Sequence, residues 1–190
     1  MFQIQISFGI RMGALLSFLW GGGKATPALP EVPDPVTGLT PREKDFVVTT
    51  WGSVRKDITN NGVQLFLRFF DKLPAAQKRF SSFADLPRDE LATSKRLKAH
   101  ANSVMYSIDS IVCNLDDPEV LEEMLLKIGN NHGRHKVPED EFRVLKDVLM
   151  QLLRDALDIH KSPVGEQAWS KAIDVMYKSI FKGMAETRDK

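Results

Sequence analysis

With only one cysteine, Cys113, the chain cannot close an intrachain disulfide, and no Cys/His cluster has the spacing of a structural zinc site. Charge of one sign is also missing. The 26 Lys and Arg against 25 Asp and Glu leave a net charge of +1, with no strong field to gather nucleic acid or an anionic membrane. This argues against nucleic acid as a partner. No stretch alternates apolar and polar residues long enough to read as a strand, so no sheet is expected. There is no Gly-rich phosphate loop and no internal repeat. Nor is there a clean run of about 20 apolar residues, the length a spanning helix requires. The nearest approach, Met1–Gly23, is interrupted by Arg11 and several glycines.

Proline is unevenly placed. Five of the ten prolines (Pro27, Pro30, Pro33, Pro35 and Pro41) crowd into Lys24–Pro41, where they remove backbone donors and hold the chain extended. That segment reads as a linker. Residues 1–38 are therefore expected to form an irregular N-terminal extension with a Pro-rich linker, and residues 39–190 a single domain. The other five prolines, Pro74, Pro87, Pro118, Pro138 and Pro163, punctuate long proline-free stretches as helix boundaries do.

Between those boundaries the apolar residues recur every three or four positions. Thr40, Pro41 and Glu43 make an N-cap, a first-turn proline and a capping-box partner for a first helix, whose stripe is Phe46, Val47, Thr50, Trp51 and Val54. A second helix from about Asn60 to Lys72 buries Leu65, Phe66, Phe69 and Phe70. A long helix after Pro87 carries Leu97, Ala101, Val104, Ile108, Ile111 and Leu115. A shorter one after Pro118 carries Leu121, Leu125 and Ile128. Two long helices close the domain, one with Phe142, Leu145, Leu149, Leu152 and Ala156, the other with Trp169, Ile173, Met176 and Ile180.

Two of the four histidines fall on these apolar faces. His100 shares a stripe with Leu97, Val104 and Ile108. His132 follows Leu121, Leu125 and Ile128 at intervals of four, three and four residues. A buried imidazole forfeits hydration unless it hydrogen-bonds or ligates something, and two of them on different helices invite one shared explanation. His160, in "DIHKSP", reads as a solvated helix end rather than a ligand.

The ordered set Trp51, Pro74, Phe80 and Phe83 in "PAAQKRFSSF", His100 in "LKAHANSV" and His132 in "IGNNHGRHKVP" resembles the globin family over nearly all of Leu39–Met184. Six residues separate Pro74 from Phe80, 20 separate Phe80 from His100, and 32 separate His100 from His132. The last spacing is similar to the cytoglobin and globin X branches more than to myoglobin. The resemblance implies an all-α globin fold with helices packed in pairs around a haem pocket, and haem b as the cofactor.

It also implies roles. His132 would be the proximal iron ligand and His100 the distal residue, which either donates a hydrogen bond to O₂ or itself ligates the iron. Phe80 would wedge against the porphyrin, with Phe83 and Val137 completing its surroundings. Val104 would lie over the ligand pocket one turn from His100, and Phe66 would narrow the distal wall. Each of these apolar residues is equally an ordinary core residue. The turn after His132 departs from the common vertebrate pattern, because His135 follows after three residues instead of four. Arg134, His135 and Lys136 are candidates to meet the haem propionates, or a solvated basic turn.

Met12-Gly13-Ala14-Leu15-Leu16-Ser17 fits the N-myristoylation pattern if translation starts at Met12. One acyl chain binds weakly, so Phe18, Leu19, Trp20 and Lys24 would have to add to it. Some globin X proteins are acylated at a Gly-Cys start, and here Ala14 stands where the cysteine would be. The alternatives are an unstructured extension or, less well supported, a secretory signal. The expected location is cytoplasmic, with weak membrane association through this tail as its variant. Three functions remain open: reversible binding of O₂, CO or NO; redox sensing by a six-coordinate iron; and NO or nitrite conversion, which would need a separate reductase because no flavin or nicotinamide site is present. Oligomeric state is not legible.

Overall fold

The computed structural model describes residues 31–188, and every described element is helical. The helices are α1 (Pro41–Arg55), α2 (Ile58–Lys72), α3 (Pro74–Gln77), α4 (Arg88–Thr93), α5 (Lys95–Cys113), α6 (Pro118–Arg134), α7 (Glu139–Leu157) and α8 (Gly165–Thr187), with one 3₁₀ turn at Ile159–Lys161. The expected all-α class holds. The acylation pattern and the apolar residues Phe18, Leu19 and Trp20 lie outside the described residues. Among those described, no helix is long and apolar enough to cross a membrane.

Helix α1 begins as its sequence dictates. Thr40 N–H donates to Glu43 Oε2 at 2.9 Å and Glu43 N–H to Thr40 Oγ1 at 3.2 Å, so the capping box is closed in both directions. Just before it, the chain folds back instead of staying extended. Asp34 Oδ1 accepts from Val36 N–H at 2.9 Å and from Thr37 N–H at 2.7 Å, Gly38 takes φ +63°, and Leu39 is fully buried. Lys44 Nζ then reaches Asp34 Oδ2 at 3.0 Å. The Thr37 amide, with Lys44 and Val36, holds the Asp34 carboxyl at about 2, well below the usual carboxylate range. The sign follows directly: a depressed folded pKa adds stability above pH 4 that is lost as pH falls toward 2. Asp34→Asn should cost about 1 kcal/mol at neutral pH, less than the full shift because the group is partly solvated, and should flatten the acid limb of a urea-midpoint titration.

The long helix expected after Pro87 is in fact two. Ser94 takes extended angles and its Oγ accepts from Leu97 N–H at 3.3 Å, so the hydroxyl ends α4 and caps α5 in one residue.

The buried side chains form two clusters. One is built mainly from α1, the second half of α5, α6, α7 and α8, and centres on Trp51 and Trp169, both fully buried with ring centroids 5.9 Å apart. Each indole N–H is satisfied, Trp51 by Asp109 Oδ1 at 2.7 Å and Trp169 by Thr50 Oγ1 at 3.1 Å. The other comes from α2, α3, the loop after it, α4 and the first half of α5, and is rich in phenylalanine. Leu145 of α7 packs against both. The most extensive helix pairings are α6 with α8 and α2 with α5.

At the α6/α8 crossing the two backbones touch. A Cβ on Gly129 would run into the carbonyl of Ile180, and one on Gly183 would lie 2.5 Å from Leu126 O. Only glycine permits this approach at either position.

Candidate haem site

Each histidine belongs to a different cluster. His100, on α5, lies edge-on to Phe66 at 4.9 Å and to Phe80 at 4.8 Å between ring centroids. His132, near the end of α6, lies edge-on to Phe142 at 5.1 Å, and Phe142 in turn packs against Tyr177 and Phe181. Burial pushes the His100 pKa below its ordinary value, and the nearby His132 adds to the effect. His100 is therefore neutral at neutral pH, with a lone pair available. The influence of His132 on His100 places the two rings within electrostatic reach of each other.

Helix geometry sets the orientation of His132. Its Nδ1 is 2.8 Å from Ile128 O, one turn earlier, so Nδ1 carries the proton and donates it to that carbonyl. Nε2 is left as the acceptor nitrogen, and it meets no hydrogen-bond partner among the described residues. An imidazole anchored this way through one nitrogen is a metal ligand in waiting at the other. The helical stripe turns His132 inward without naming the Ile128 carbonyl that holds it or the Phe142 ring beside it. The signal for the first was available: a helical His always has the carbonyl of its fourth predecessor within reach.

The remaining candidates fall on the two sides. Phe66 and Phe83 are buried, and Phe80 is half-buried and stacked on Phe83 at 4.9 Å with an interplanar angle of 13°. Gln77 secures their loop, its Nε2 lying 3.0 to 3.3 Å from the carbonyls of Phe83, Ala84 and Leu86. Val104, half-buried, packs on the same cluster one turn after His100. Val137 packs against the other cluster.

The short turn after His132 is a Schellman cap. Lys136 takes φ +51°, its N–H donates to Gly133 O at 2.9 Å, and Val137 N–H donates to His132 O at 3.2 Å. This cap explains how α6 can end so soon after His132. Arg134, His135 and Lys136 are all exposed, and none forms an ion pair with a described residue. His160 sits exposed in the 3₁₀ turn, away from both rings.

This donor set suits a haem iron. One imidazole is anchored with a free Nε2, a second is neutral and desolvated, aromatic rings flank both, and the core is divided between them. Among the described residues no group of three or more His, Cys, Asp or Glu side chains could hold a metal ion.

The globin family model matches residues 63–180. Cytoglobin-2 of Danio rerio is 32% identical over 158 residues, covering 82% of this chain and 87% of the relative. Anaerobic nitrite reductase HBII of Casuarina glauca is 30% identical, covering 75% of this chain and 91% of the relative. Among solved structures, the hexa-coordinate haemoglobin of Drosophila melanogaster, described in its cyanide-bound state, superposes with a TM-score of 0.71 at 26% identity, covering 76% of this chain and 94% of the other. The helix order, the placement of the two histidines and these similarities lead to one conclusion: the chain belongs to the globin family.

Proposed function

We propose that this globin holds a b-type haem through His132 and reversibly binds O₂, CO or NO on the side of His100. The observation that carries the reading is the 2.8 Å contact between His132 Nδ1 and Ile128 O, which leaves Nε2 as the free nitrogen. Haem, when bound, would supply an iron that accepts small diatomic ligands.

The chain's own residues do the rest. His132 is the proximal ligand, held in one tautomer by the Ile128 carbonyl and braced by Phe142. Phe66, Phe80, Phe83 and Val104 keep water from the distal side, and Val137 lies on the proximal side. Arg134, His135 and Lys136 present exposed donors for the propionates. His100, neutral because it is desolvated, would also hold the iron when no external ligand competes. The 26% identical Drosophila haemoglobin, described as hexa-coordinate, supports that part of the reading.

His100→Leu should convert a six-coordinate low-spin spectrum of the reduced protein to a five-coordinate high-spin one, and should speed CO binding roughly tenfold or more, because no internal ligand then has to leave. If the reduced unmodified protein is already five-coordinate, His100 acts only as a hydrogen-bond donor and plain O₂ storage or transport is the better reading.

Nitrite reduction is the second reading, favoured by the similarity to the Casuarina nitrite reductase. It requires a separate reductase. Anaerobic mixing of the reduced protein with nitrite decides it, through the appearance or absence of the NO-bound spectrum. We place the protein in the cytoplasm, with the tail of residues 1–38 giving weak membrane association, which sedimentation with anionic vesicles tests in the full chain and in a chain without the tail.

A further inference from the structure

Arg79 ties together three segments that approach the haem site from different directions. Its Nε donates to Glu141 Oε1 at 2.7 Å, and its Nη1 lies 3.5 Å from Lys136 O. Arg79 itself precedes Phe80, whose ring touches His100. Glu141 precedes Phe142, whose ring touches His132. Lys136 is the left-handed residue of the cap that holds the His132 carbonyl. Each anchor of the arginine is therefore one residue from a ring against a histidine, or belongs to the turn that ends the histidine's helix.

From this geometry we infer that the Arg79–Glu141 pair, with the Lys136 carbonyl, is a clamp that positions the His100 side and the His132 side of the site and retards haem loss. The inference rests on the haem reading above. An exposed ion pair usually contributes little. This one differs because the Glu141 side chain is only 14% exposed and the guanidinium has a second acceptor, so the link is two-pointed and partly desolvated. Glu141 also stands in the first turn of α7, where the helix N-terminus favours its charge with or without Arg79. Loss of the arginine should therefore be felt at the site more than in overall stability.

The test is haem transfer from the loaded full-length protein to excess apomyoglobin, comparing Arg79→Ala, Arg79→Lys, Glu141→Gln and the double variant Arg79→Ala/Glu141→Gln. We expect about tenfold faster loss for Arg79→Ala, an intermediate rate for Arg79→Lys, and a double variant no faster than Arg79→Ala, since both changes break one link. The urea midpoint of the haem-free chain should be unchanged in Arg79→Ala and Arg79→Lys, and should fall by the same small step in the two variants that lack the Glu141 charge, whose favourable place at the α7 N-terminus is lost. Additive effects in the double variant, or an unmodified rate in Arg79→Ala, would overturn the clamp. Amide exchange in the haem-free chain separates this from the haem reading. Arg79→Ala should lower protection at Phe83, Leu86, Lys136 and Val137 together, whether or not haem is taken up, and unchanged protection there would also overturn the clamp.

Discussion

His132→Ala should release haem more than about 100-fold faster than the unmodified chain, because loss of an outer partner alone costs a metal ligand ten- to 100-fold and here the ligand itself is gone. The Nε2 left free by the Ile128 contact is the only anchored donor on the α6 side among the described residues. The rings around it, Phe142, Tyr177 and Phe181, offer no nitrogen. Haem transfer followed at the Soret band gives the rate. His132→Gly should be rescued by free imidazole, which can occupy the space the side chain leaves, whereas a merely structural histidine would show no such rescue. Haem retention with an unaltered spectrum in His132→Ala would remove His132 as the ligand.

Gly129→Ala should destabilise the protein by about 3 kcal/mol, near the upper end of the usual cost of overpacking. The added carbon meets the Ile180 backbone, which no rotamer change can relieve, and Gly183 Cα lies 3.1 Å away on the same helix. α6 would have to lift off α8, carrying with it His132 only three residues further on. Haem binding and stability should therefore fall together. Gly52→Ala is the contrast. Gly52 sits within α1 with nothing within 4 Å of an added Cβ, so alanine there should stabilise by roughly 0.5–1 kcal/mol through helix propensity. Urea midpoints of the two variants should move in opposite directions, and equal shifts would show that the α6/α8 contact is looser than these distances.

The difference between those two glycines marks the limit of sequence reading. Both sit inside helical patterns, and nothing local distinguishes them. The spacing of Gly129 and Gly133 by four residues was a usable hint that one helix face is bare, yet only the partner helix shows that Gly183 faces it. Ser94 illustrates a similar ambiguity. Its hydroxyl can cap a helix or ride on one, and the apolar stripe that starts at Leu97 is silent about the break before it. Proline fixes φ and favours an extended segment up to Pro41, but Asp34 lies among those prolines and its carboxylate gathers the Val36 and Thr37 amides into a turn.

What the sequence determined by itself was local or periodic: the capping box at Thr40 and Glu43, the helical stripes, and the placement of His100 and His132 on inward faces. Each of these depends on neighbours within about four residues, where backbone geometry dictates which side chains meet. The tertiary structure alone decided the rest. It brought Trp169 against Trp51 and Phe142 against His132, joined Arg79 to Glu141, and divided the core so that the two imidazoles stand on opposite sides. Those contacts link residues from ten to more than 100 positions apart. Their selection depends on how whole helices pack, since burial rewards any apolar partner and only close packing of particular shapes chooses among them.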